Sequence, residues 1–177
     1  MKWPDFTLLS NAWQRFLIMF PLLSDQQLKT GYELDEFVSS LQVRGMSSEG
    51  VDMVEQYIRS CWDKGVEVVL DPNLEGAFGT YNPTSNVLTL GERALDCNVE
   101  LIETLEHEFV HVLQDQMAGI HNSDMETLGL PTTQYGEMAV EDSYSHLSEE
   151  VQELETEAFS TEQLIANPEL DAFGLIG

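Results

Sequence analysis

The strongest constraint on the fold is a double change of hydrophobic period along the chain. Residues 1–65 read as helical: Leu34, Phe37, Val38 and Leu41 recur at helical spacing, and Gly45 ends the pattern. A second set, Val51, Val54, Tyr57, Ile58 and Cys61, follows a possible Ser47 or Ser48 cap and stops at Gly65. The period then shortens. Val66–Leu70, Ala77–Tyr81 and Val87–Leu90 read as strands, the last two joined by the turn formers Asn82-Pro-Thr-Ser-Asn86. Helical spacing returns from Asn98 to about Met117, with Gly119 as a stop, and again from about Ser148 to Ala166. The stretch 119–140, with Gly129, Pro131 and Gly136, reads as a loop or lid. This order predicts an α+β fold with a small antiparallel sheet of about three strands. It divides the chain into an N-terminal helical segment, 1–65, and a core, 66–177.

Size and charge narrow the partners. A chain of 177 residues fits one domain, or one domain with an appended helical segment, and its apolar share of 42% argues against wholesale disorder. There are 32 acidic residues against 7 Lys and Arg, a formal charge of −25, and Arg93 is the last basic side chain. Such a surface repels nucleic acid and anionic membranes, so neither is expected as a partner. The plain account of it is a solvated acidic face, although it also attracts cations and basic partners. Cys61 and Cys97 read as free thiols. The apolar run Phe16–Leu23 is too short to span a bilayer and is followed by no small-x-small cleavage site. It reads as a buried helix, which points to a cytoplasmic location.

The chemistry sits on the helix after the strands. His107 and His111 are four residues apart, so they stand one turn apart on one face. On a helical wheel Leu101, Ile102, Leu105, Phe109, Val112 and Leu113 cluster on the other side. Two imidazoles so placed can reach one metal ion, and zinc suits imidazole and carboxylate donors in tetrahedral geometry. Glu108, next to them, is placed to take a proton from water activated by the ion. A third ligand has to come from the last helix, where Glu153, Glu155 and Glu157 are the candidates. With Val151, Leu154, Ala158 and Ile165 as the apolar face, Glu155 falls beside it, whereas Glu153 and Glu157 fall toward solvent. A carboxylate on the buried side is expensive unless paired, so Glu155 is the expected third ligand.

His107-Glu-Phe-Val-His111 followed by Glu155-Thr-Glu157-Ala158 resembles the gluzincin branch of zinc peptidases, and Leu105–Gln114 is similar to small metallopeptidases of bacteria and phages. The resemblance covers about residues 76–166. It implies a zincin-like fold in which the sheet packs on an active-site helix and a glutamate-bearing C-terminal helix. It also implies Zn²⁺ as cofactor, a peptide or protein as substrate, and peptide-bond hydrolysis with Glu108 as general base. By position, Ala77, Phe78, Gly79 and Thr80 match the strand whose free edge binds an extended substrate. The pattern departs at Phe159, where many gluzincins carry an acidic residue that orients a ligand histidine. A residue that stabilises the oxyanion is left open among Tyr144, His146, His121 and Tyr135. Two other readings stay open: an inactive zinc-binding interaction protein, and an acidic mimic of DNA, to which a His-Glu-x-x-His helix would be of no use.

Overall fold

The computed structural model describes residues 26–119 and 125–166, so the apolar run 16–23 and His121 lie outside the described residues. Three helices appear where the apolar spacing places them. In α1, Gly31–Val43, Thr30 and Glu33 form a reciprocal capping box, and Leu34, Phe37, Val38 and Leu41 are buried. In α2, Ser48–Asp63, Ser47 caps the amide of Gly50, and Val51, Val54, Ile58 and Cys61 are buried. The longest helix is α4, Asn98–Ala118. It begins at Asn98, with Cys97 in the cap position, and a short α3, Glu92–Asp96, precedes it.

The sheet differs from the expectation in two ways. It has four strands, β1 (Gln26–Leu28), β2 (Glu67–Asp71), β3 (Gly79–Asn82) and β4 (Val87–Gly91), and it is mixed rather than antiparallel. Their order is β1-β2-β4-β3. Val68 and Leu70, and Leu88 and Leu90, alternate onto the buried face. Alternation says nothing about neighbours. The connection 72–78 carries the chain past one slot, so β3 forms the outer edge and β4 returns into the gap, parallel to β2. Strand β1 escapes notice because three residues are too few to show a period, and it falls in the segment 1–65 read as helical.

A second correction concerns the stretch read as a loop or lid, which contains α5, Gln134–Ser143. Thr133 caps it through the amide of Gly136. Val140 is its one buried apolar side chain, so no apolar stripe marks it in the sequence. The last helix, α6, runs Glu149–Ala166.

One apolar cluster joins Leu28, Leu34, Ile58, Leu70, Leu88, Leu101 and Leu105, so the sheet, α1, α2 and α4 share a core. Helix α4 lies at its centre. Leu101, Leu105 and Val112 face the core, with Ile102 and Phe109 partly buried against it. The opposite side of α4 is covered by α6, and that is where the two histidines lie. Among the described residues no helix is long and apolar enough to cross a membrane.

Candidate metal centre

The helical spacing of His107 and His111 brings their rings to 4.9 Å between centroids, with planes at 81°. Their Nε2 atoms are 3.2 Å apart. Glu155 enters from α6, its Oε2 3.3 Å from His107 Nε2 and its Oε1 3.6 Å from His111 Nε2. These three side chains form a group that can hold a metal ion. The donor spacing tests which ion fits. Tetrahedral zinc, with bonds of about 2.0–2.1 Å, needs its donors about 3.3 Å apart. The imidazole pair lies near that value, the two Glu155 contacts use different oxygens, and one donor atom from each residue keeps the set within 4.8 Å, a spacing that can hold a metal ion. The environment agrees: His107 and His111 are 8% and 6% exposed, and Glu155 Oε2 is buried with no directed hydrogen bond. A cation among these donors would satisfy it.

Electrostatics ties the three groups together. Burial would lower the His107 imidazole, but hydrogen-bonding contact with Glu155 and Glu162, and the charge of Glu108, outweigh it and raise it to about 9. Burial would raise Glu155, but the two imidazoles outweigh it and hold the carboxyl at about 2. Glu108 is buried at 6% exposure. That burial raises its carboxyl above the ordinary value, while His111, His107 and the backbone N–H of Tyr81 pull it back.

The strand over the helix is held close by a missing side chain. A Cβ on Gly79 would lie 2.5 Å from Thr104 Cγ2 and 3.2 Å from Glu108 Cγ. Glycine therefore lets β3 press directly onto the turn of α4 that carries Glu108. Gly91 N donates to Phe78 O, which sets the antiparallel alternation: residues 78, 80 and 82 bond toward β4, and Gly79 and Tyr81 turn their N–H and C=O groups to the other edge, which no strand covers among the described residues and where the Tyr81 N–H meets Glu108. A cleft of about 420 Å³ opens there, lined by Ala77, Phe78 and Gly79 on one side and by His107 and Glu108 on the other. Of the four expected substrate-binding residues, Thr80 is the exception. It is exposed and turned to β4, and it does not line the cleft.

Compared with known proteins, the chain matches no family model, no curated protein and no solved structure. The site is therefore read from its own geometry.

That geometry also supplies what the motif lacks. Phe159, in place of an acidic residue, packs its ring on His107 with centroids 4.5 Å apart. The carboxylate near His107 Nδ1 is instead Glu162, one turn further on, at 3.5 Å. His111 has a better partner in Gln114. Gln114 Nε2 donates to Leu154 O at 3.1 Å and to Glu157 Oε2 at 2.9 Å. Both are acceptors, so the amide orientation is fixed, and its Oε1 faces His111 Nδ1 at 2.7 Å. That acceptor favours the tautomer of neutral His111 with its proton on Nδ1, which leaves the Nε2 lone pair open to a metal ion. Glu157 does not face solvent, as the helical wheel suggests. It is 2% exposed, because the segment 125–133 covers that side of α6. Glu153 is exposed as expected.

Among the oxyanion candidates, Tyr144 and Tyr135 line the cleft, whereas His146 is exposed and does not. Burial, then the charges of Glu155 and Glu108, push the Tyr144 hydroxyl up to about 12, so it remains a hydrogen-bond donor at neutral pH.

Proposed function

We propose that the chain is a zinc-dependent peptidase, with His107, His111 and Glu155 as ligands and Glu108 as general base. The observation that carries this reading is the convergence of two imidazole nitrogens, 3.2 Å apart, with the Glu155 carboxylate, whose two oxygens lie 3.3 and 3.6 Å from them, beside a buried Glu108 and under the outer edge of β3. Bound zinc would supply a Lewis acid that brings the pKa of water to about 7 and polarises a carbonyl. Everything else is done by the chain. The outward N–H and C=O groups of Gly79 offer an extended peptide two backbone bonds, which recognise main chain rather than side chains. Glu108 takes the proton from the attacking water and returns it to the leaving amine. Its burial raises its proton affinity, which favours the first transfer and makes the acid so formed a weaker donor in the second. Tyr144 donates its O–H to the carbonyl oxygen as negative charge builds there.

Glu108→Gln tests the reading. The variant should bind one zinc per chain and lose hydrolysis by a factor of about 10²–10⁴. Cleavage of a peptide library at the wild-type rate would rule out Glu108 as the base. Zinc uptake by a wild type that cleaves no peptide would favour the inactive metal-binding reading instead.

A further inference from the structure

We infer that Gln114 and Glu157 couple metal occupancy of the centre to the seating of segment 125–144 on α6. The inference rests on the reading above only for the existence of the metal site. Gln114 is 0% exposed and Glu157 is 2% exposed. Each uses its polar atoms in directed bonds. Beyond the bond from Gln114, Glu157 Oε2 accepts from Leu128 N at 2.7 Å and Oε1 from Leu130 N at 2.8 Å. Three residues on, along the same face of α6, Ser160 Oγ accepts from Thr133 N at 2.9 Å. Gly136 then packs so closely that a Cβ would run into Ser160 Oγ and lie 2.7 Å from the Thr156 carbonyl oxygen. The chain from Leu128 to Gly136 is thus pinned to the helix that carries the metal ligand Glu155. It leads into α5, with Tyr135 near its start and Tyr144 just past its end, and both tyrosines line the cleft.

Glu157 is the point where the two halves meet. Through Gln114 it fixes the proton on Nδ1 of His111, and through two amides it holds the segment that places the tyrosines. A cation on Nε2 of His111 makes the Nδ1–H a stronger donor, and the gain passes through the Gln114 amide to Glu157. Linkage makes the effect reciprocal, so loosening the segment weakens metal binding by the same factor. Gln114 and Glu157 are positioning residues in this account, since neither touches metal or substrate.

The experiment measures hydrogen exchange at the Leu128 and Leu130 amides of the full chain, with and without zinc, together with zinc affinity by chelator competition. In wild type, zinc should slow both amides by about tenfold. Gln114→Leu leaves the bonds from Glu157 to the two amides but cuts the link to His111. Its zinc affinity should fall by about 10–100-fold, and its amides should no longer respond to zinc. Glu157→Gln turns an N–H against at least one of the three donors it faces and should lose both properties. If that variant fails to fold, Gln114→Leu decides alone. A purely structural role would lower stability but leave the zinc response intact. Wild-type affinity in Gln114→Leu, or amides that ignore zinc in wild type, would overturn the coupling while leaving the metal site standing. No zinc uptake by wild type would overturn both. Zinc-responsive amides in a protein that cleaves no peptide would uphold the coupling and sink only the peptidase reading.

Discussion

Glu155 and Glu157 stand two residues apart on one helix, both withdrawn from water, and they are satisfied in opposite ways. They point about 200° apart around α6. Glu155 meets two imidazoles, which are themselves candidate metal ligands, and its Oε2 has no directed hydrogen bond. Glu157 meets one side-chain amide and two backbone amides, with directed bonds on both oxygens. A buried carboxylate must be compensated in either case. Directed neutral donors fill its acceptor sites and leave no place for a cation, whereas neighbours with lone pairs of their own invite one. Burial and residue type alone do not distinguish a ligand from a structural carboxylate. The chemistry of the partners does.

The largest effect should come from the ligand side. Glu155→Ala removes one of three donors and should lower zinc affinity by roughly a thousandfold or more, against the 10–100-fold expected for outer groups such as Glu157. Equal losses in the two variants, measured by chelator competition, would erase the distinction.

Next in size is the pH dependence, which belongs to the ligand side alone. A cation must displace the proton that the carboxylates, against burial, hold on His107 up to about 9. Zinc affinity should therefore rise with pH, about tenfold per unit between pH 7 and 9, and level off above. Glu155, held at about 2, stays ionised throughout this window and adds nothing. Titration calorimetry in buffers of different ionisation enthalpy counts the released proton. A flat profile would mean that His107 is already neutral at pH 7.

The segment side can be attacked without touching any ligand. Gly136→Ala places a methyl against Ser160 and the backbone of Thr156. It should cost about 2 kcal/mol in a urea melt, the overpacking being partly offset by better helix propensity. An unchanged midpoint would mean that α5 is loosely seated and that Glu157 has little to hold.

Some of this could be read in the sequence and some could not. Helices α1, α2, α4 and α6 were legible because each buries a stripe long enough to show a period. The donor triad was legible because His107 and His111 have fixed helical spacing and Glu155 lies beside an apolar face. Helix α5 was not, since it buries a single valine, and neither was the slot of β4, which depends on where a connection crosses. Gln114 and Glu157 were missed for a related reason. On α4, Gln114 follows His111 by three residues, a spacing at which side chains can meet, but nothing in the sequence brings Glu157 to its other end. The wheel placed Glu157 toward water because it weighs only the residues of α6, and nothing in their pattern shows that segment 125–133 folds over that side.

The smallest effect, and the control for the series, is Glu153→Gln. Glu153, Glu155 and Glu157 alternate along α6, and only Glu153 is exposed. It lines a cavity of about 560 Å³ on the side of α6 toward α5, together with Glu157 but with none of the three candidate metal ligands. Removing its charge takes away no directed bond and no donor to the metal, so stability should stay within about 0.5 kcal/mol and zinc affinity within about twofold. Glu155→Ala, Glu157→Gln and Glu153→Gln should then rank in that order in lost affinity. A fall at 153 as large as that at 157 would mean that affinity follows the summed negative charge of the helix rather than the identity of each partner. In that case the contrast between Glu155 and Glu157 would reduce to long-range attraction for a cation, and added salt would shrink all three effects together.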